Sequence, residues 1–276
     1  MVQMKESQDI DWNKWYDFLG QMDIPTIHLG GVKATRDLLA LCEITEKSEV
    51  LVIGCGTGYT VCEIAQKYDS HVVGIDISGD MIARAQKRAR KYHLENTVEF
   101  QIADVFELPF DDEAFDVVIV ESVLNVLPGN KRDALIEMKR ILKKDGLIGA
   151  NEDFALPETP DDILARLAAV SPVKTFFTPQ RLKGLFEDSG FDIVHLVENP
   201  ATDVITPKEV VTLIKTVGLV KLLSFSVRLL LDSDIREIGK YYREGSAIMI
   251  KGEDTRDFFG YALIVGKKRE PIKGTS

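Results

Sequence analysis

The chain has 276 residues, 45% of them hydrophobic, and a formal net charge of −10. That length allows one large domain or two small ones with a sizeable core, and the acidic balance argues against a broad phosphate-binding surface, so no nucleic-acid partner is expected. Cys42, Cys55 and Cys62 form no CxxC pair and no Cys/His metal spacing, which leaves no metal site to expect and suits a reducing cytoplasm.

Residues 1–30 read as an N-terminal cap in which Trp12, Trp15, Tyr16, Phe18 and Leu19 make an aromatic helical pattern, followed by Pro25–Gly31. Its start lacks the apolar core of a signal peptide, and no apolar run reaches the ~18–20 residues of a membrane span, so the expected location is cytoplasmic. A helix over 32–43 leads to the strand Val50–Ile53, which runs into Gly54-Cys55-Gly56-Thr57-Gly58 and a helix over 58–68. Glycines in such a turn let a ligand lie against the backbone, and the exposed N–H groups with the helix dipole suit a polar or anionic group.

The next strand, 71–76, ends in Asp76. In a doubly wound sheet a carboxylate there can accept both hydroxyls of a ribose, and Ser78 is available to cap the helix over 79–93, which frees Asp76 for a ligand. The strand 97–102 leads to Asp104, placed to accept from an adenine amino group. Then come a strand over 115–120, a helix over 130–143, a turn at Asp145-Gly146, a strand over 146–153, a helix over 179–189 and strands over 191–198 and 259–266. Such alternation means a mostly parallel sheet covered by helices on both faces. A nicotinamide dehydrogenase would carry its third glycine one position later, where Tyr59 stands.

Residues 200–256 form an insertion with two apolar helical stripes: Val210, Leu213, Ile214 and Val217, then Leu219, Leu222, Leu223, Phe225, Leu229 and Leu230. Lys208, Lys215, Lys221 and Arg228 line the polar faces. The favoured reading is a helical lid on the catalytic cleft; contact of 208–231 with a membrane is the alternative. A homodimer stays open.

The ordered motifs "VLVIGCGTG", "VVGIDIS", "FQIADVFELPFDDEAFDVVIVESVL" and "ALIEMKRILKKDGLIG" resemble the class I S-adenosylmethionine-dependent methyltransferases, especially the small-molecule "type 11" group. The resemblance implies a Rossmann-like α/β domain with a seven-stranded, mostly parallel sheet and an antiparallel last strand. The core would be 31–199 with 257–268, completed by the cap and the insertion. It also implies adenosylmethionine as cofactor and a small acceptor, partly apolar, methylated by in-line displacement. Gly54, Cys55, Gly56 and Gly58 would flank the methionine part, Asp76, Ile77 and Met81 the ribose side, and Asp104 with Val105 the adenine. Glu121, at the end of the fourth strand, would lie where the methyl group faces the acceptor. One position departs from the family: an acidic residue usually stands two places before the first glycine, where this chain has Val52.

In-line transfer needs the acceptor held about 3 Å from the methyl carbon in a dry site, and a base only when the acceptor carries a proton. Glu121, His28 and Glu152 are the catalytic candidates, with Asp153 and Tyr16 also near the strand ends; Trp15, Tyr16 and His28 are the candidate substrate contacts. An imidazole has an unperturbed pKa of about 6.5, which suits a base. An open cleft beside Glu121 would favour an enzyme over a non-catalytic adenosylmethionine-binding protein. A peripheral quinone or lipid methyltransferase is the third reading.

Overall fold

The computed structural model describes residues 10–21, 24–173, 175–201 and 218–270. Seven strands form one sheet in the order β3-β2-β1-β4-β5-β7-β6. They are β1 (Glu49–Ile53), β2 (His71–Asp76), β3 (Val98–Ile102), β4 (Phe115–Glu121), β5 (Leu142–Ala155), β6 (Phe191–Pro200) and β7 (Phe259–Lys268). The first five run parallel, and β7 is antiparallel to both β5 and β6. Both faces are packed, one against α1 (Trp12–Gln21), α2 (Gly31–Leu41) and α3 (Tyr59–Tyr68), the other against α5 (Lys131–Ile141) and α7 (Pro179–Asp188). That double cover explains why β1 and β4 are near-continuous apolar runs.

Two local expectations are corrected. The helix expected to run to residue 143 ends at Ile141, and β5 begins at Leu142; Asp145, with φ of 61°, sits in an irregular stretch where the β4–β5 register shifts. The Asp-Gly signal marks a bulge inside the strand. The helix α6 (Asp161–Val170) was not anticipated.

Strand parity positions the site. Glu121 pairs with Asn151, and Asn151 and Asp153 pair with Leu263 and Tyr261, so Glu121, Asn151 and Asp153 share a face at the carboxyl ends of the strands. Glu152 points to the opposite face.

After β6, α8 (Leu219–Leu231) and α9 (Ser233–Ser246) precede a π-helical turn, Ala247–Lys251, that leads toward β7. α9 packs against α1, α6 and α8, and α1 packs against α4 (Gly79–Lys91). The cap and insertion thus meet over the strand ends: Trp15 rests on Tyr242 at 5.1 Å between ring centroids, and the Arg228 guanidinium lies 5.4 Å from the Phe18 ring centre. Burial of the second apolar stripe is incomplete, since Leu229 packs on the core while Leu223 and Leu230 are 60% and 69% exposed. The first stripe, with Lys208 and Lys215, lies outside the described residues. Among the described residues no helix is long and apolar enough to cross a membrane.

Candidate active site

Three glycines with positive φ carry the chain from β1 into α3, and they do different jobs. A Cβ on Gly54 would lie 2.5 Å from a Val123 methyl, and one on Gly58 would lie 2.8 Å from the Ala85 Cβ, so packing demands both. A Cβ on Gly56 would meet nothing within 4 Å. The middle glycine therefore presents bare backbone to open space, and α3 starts without a side-chain cap. Arg88 of α4 clamps the loop, donating to the Thr57 carbonyl at 2.9 Å and to its hydroxyl at 3.2 Å. Cys55 is a buried thiol whose pKa burial pushes well above its ordinary value, so it fills space.

Asp76 spans the gap between loop and next helix. One oxygen accepts the Gly56 N–H and the other the Ser78 N–H, each at 2.9 Å, which leaves further lone pairs on both. Ser78 caps α4 by accepting the Met81 N–H. Ile77 and Ile102 are 75% and 62% exposed, an unusual state for two large aliphatic side chains at neighbouring strand ends. Asp104 is exposed, and its Oδ1 accepts the Phe106 N–H at 3.0 Å. Val105 and Met81 turn their side chains into the structure; Met81 closes on Gly20 of α1. Open backbone at Gly56, carboxylates with spare lone pairs and two exposed isoleucines fit a nucleoside with a charged amino-acid tail. Adenosylmethionine is such a molecule. Val52 is buried in the core, so β1 offers no carboxylate to this loop.

Glu121 lies on the far side of the loop and is enclosed. Its Oε1 accepts from Thr35 at 2.8 Å, its Oε2 accepts from Thr60 at 2.7 Å, and His28 Nε2 stands 3.3 Å from Oε1. Burial alone would raise its pKa, but the His28 charge and these hydrogen bonds outweigh it, and the net shift is downward. Burial likewise opposes charge on His28, yet the Glu121 carboxylate prevails and raises the imidazole pKa. His28 Nδ1 lies 2.9 Å from the Leu29 carbonyl, and the Glu121 carboxylate at Nε2 favours the protonated ring. The Asn151 side-chain nitrogen lies 2.9 Å from the same Nδ1, at hydrogen-bond distance. The Glu121 carboxylate is thus held by Thr35, Thr60 and His28. Expected as a base, it stands in the structure as a partner of His28.

Glu152 is corrected too. It is fully buried on the other face and accepts the backbone N–H groups of Val123, Leu124 and Asn125 at 2.9, 2.8 and 3.1 Å. Burial pushes its pKa up to about 8 against the pull of those donors. It ties down the loop after β4 and has no view of the cleft.

Asp153 does have that view. The Leu29 N–H bonds to it, while its Oδ1 is buried without a partner among the described residues. Burial pushes its pKa up to about 6, and the His28 charge works against that rise. Its charge acts in turn on Tyr16 of α1 and Tyr242 of α9, whose phenol pKa values burial raises first. Trp15, expected to touch substrate, is 3% exposed and wedged between Phe18 and Tyr242, so it holds α1 on α9.

Residues 50–146 match the family described as "Methyltransferase domain". An uncharacterized protein of Haemophilus influenzae is 31% identical over 195 residues, 70% of this chain and 77% of its own length. The O-methyltransferase rstn1 of Aspergillus nomiae is 27% identical over 175 residues, 63% of this chain and 77% of its own. Among solved structures, the [4+2]-cyclase SpnF superposes with a TM-score of 0.73 at 19% identity, covering 97% of this chain and 98% of that one. That likeness is one of fold alone.

Proposed function

The chain belongs to the class I S-adenosylmethionine-dependent methyltransferases that act on small molecules, and from that premise we propose that it methylates a hydroxyl group on a mostly apolar acceptor held beneath α1 and α9. Bound adenosylmethionine supplies an activated methyl group on a sulfonium. The chain's own task is to hold donor and acceptor in line and keep water out.

The observation that carries the acceptor reading is the aromatic seam over the strand ends. Tyr16 and Tyr242 come from two helices, both within reach of the Asp153 charge, and Trp15 rests on Tyr242, an aromatic surface with a few polar groups that suits an apolar acceptor. The hydroxyl preference draws on the O-methyltransferase relative and on a carboxylate near neutrality beside that surface. On the donor side we read Gly54, Gly56 and Gly58 as the seat of the methionine part. Asp76 takes the ribose hydroxyls, Asp104 the adenine amino group, and Ile77 with Ile102 the adenine faces. Residues 1–30 and 200–256 then act as cap and lid of one catalytic domain in the cytoplasm, with no nucleic-acid partner.

A screen of phenols and hydroxylated polycyclic compounds with methyl-labelled adenosylmethionine tests this reading. Label appearing as an O-methyl ether on an apolar acceptor is the expected result. Transfer confined to amines or thiols would contradict the hydroxyl preference. The membrane reading draws on one observation, the exposed Leu223, Val227, Leu230 and Leu231 of α8, and cosedimentation with vesicles separates it from a lid without membrane contact.

A further inference from the structure

We propose that Asp153 is the catalytic base that receives the acceptor proton, and that His28, fixed by Glu121, is the positioning residue that tunes it. The inference rests on the hydroxyl reading above and adds the residue that makes it work.

The geometry is built from four separate parts of the chain. Strand register sets Glu121, Asn151 and Asp153 on one face of adjacent strands at their carboxyl ends. The segment before α2 lays His28 across them, pinned at Nε2 by Glu121 and at Nδ1 by the Leu29 carbonyl. The next residue donates its N–H to Asp153, so one short turn holds both groups. α1 and α9 bring Tyr16 and Tyr242 within reach of the Asp153 charge. Of the buried carboxylates here, Glu121 is engaged at both oxygens by two threonines and His28, and Glu152 at both oxygens by three backbone N–H groups. Asp153 alone among these keeps a buried oxygen without a partner among the described residues. A buried, unpaired carboxylate oxygen is costly unless something occupies it. An acceptor hydroxyl would donate to it directly.

The step balances. The acceptor oxygen's lone pair forms the new bond to the methyl carbon, the bond from that carbon to sulfur breaks with its pair left on sulfur, and the acceptor O–H proton passes to Oδ1 of Asp153. A base needs a pKa near the working pH to be both ionised and effective. The groups facing Asp153 bear on that value. Burial raises it; the His28 imidazolium lowers it; its neighbour Glu152 is coupled to it through their charges; the phenols Tyr16 and Tyr242 stay neutral. Removing a positive charge from His28 would raise the Asp153 pKa further and leave less of the ionised base at neutral pH.

Two readouts test the proposal. In the first, the Asp153 carboxyl carbon is followed by carbon-13 NMR as pH is varied, its signal assigned by its loss in D153N. The expected midpoint is near 6, moving up by about one unit or more in H28Q and in H28N as the neighbouring positive charge is removed. An ordinary carboxylate midpoint, or one unmoved in both variants, overturns the assignment. Having two variants keeps the test decisive if one fails to fold. In the second, transfer to the phenol panel should fall about 10²-fold or more in D153N while the adenosylmethionine dissociation constant stays within about twofold of wild type. Wild-type turnover in folded D153N overturns the proposal. If the wild-type protein methylates amines or thiols but no hydroxyl, the hydroxyl reading fails and the titration still judges Asp153.

Discussion

Toward β1–β3 the cleft is assembled from short-range pieces, a glycine loop, an acid at the end of the next strand and another just past the one after. Beneath α1 and α9 it is assembled from His28, Glu121, Asp153 and Tyr242, which are scattered over most of the chain. The first end leaves polar groups open: Gly56 faces space and Asp76 keeps lone pairs. At the second end Glu121 and Glu152 are engaged at both oxygens, while Asp153 keeps one buried oxygen without a partner among the described residues. A site that binds a diffusible nucleoside can be a preformed cradle, whereas one that moves a proton needs a guarded environment that sets a pKa.

The contrast can be broken most forcefully at Glu152. If that carboxylate is scaffolding for the loop after β4, Glu152→Ala strands three buried N–H groups and should cost roughly 3–6 kcal/mol of stability, read by urea denaturation. A loss below about 1 kcal/mol would mean that the loop does not depend on it.

Glu121→Gln sharpens the comparison by removing charge from the second end, with an expected loss of about 3 kcal/mol for breaking a buried pair. Its pH dependence has a definite sign. His28 has a folded pKa raised above 6.5, so its contribution is full below that value and fades as pH rises through the folded pKa. Glu121 has one lowered below 4.5, so its contribution is full above that value and fades as pH falls through the folded pKa. The wild-type advantage in urea midpoint should therefore be greatest between pH 4.5 and 6.5. A gap that does not change with pH would remove the ion pair from the account. The smallest effect is expected outside both ends, at Leu230, which is 69% exposed. Leu230→Ser should change stability by no more than about 0.5 kcal/mol, and a much larger loss by the same denaturation would show that this face is covered in solution.

The geometry of the glycine-loop end was legible in the sequence because its pieces are local. A strand, a glycine turn and an acid on the following strand lie within 27 residues, Val50 to Asp76, and each carries its own backbone signature. The sheet was legible for the same reason, as alternating apolar runs and amphipathic helices. The acceptor end was not. Glu152 and Asp153 are neighbours at a strand end, and a strand sends them to opposite faces; only the register of β5 against β4 decides which one meets the cleft. An irregular stretch at Asp145 hides that parity from a count along the sequence. The engagement of Glu121 by Thr35 and Thr60 was equally hidden, since those hydroxyls arrive from two other helices. Trp15 shows the converse, an aromatic residue expected to line the pocket that instead holds the cap to the lid.

The central claim is a division of labour between the two ends, with Asp76 serving the cofactor and Asp153 serving the proton. Calorimetric titration of adenosylmethionine into wild type, D76A and D153N tests it most directly. Loss of the Asp76 hydrogen bonds should cost about 1.5–3 kcal/mol, which weakens binding roughly ten- to over a hundredfold, while D153N binds as wild type does. Equal affinity in wild type and folded D76A, or a large loss in D153N, would contradict the account.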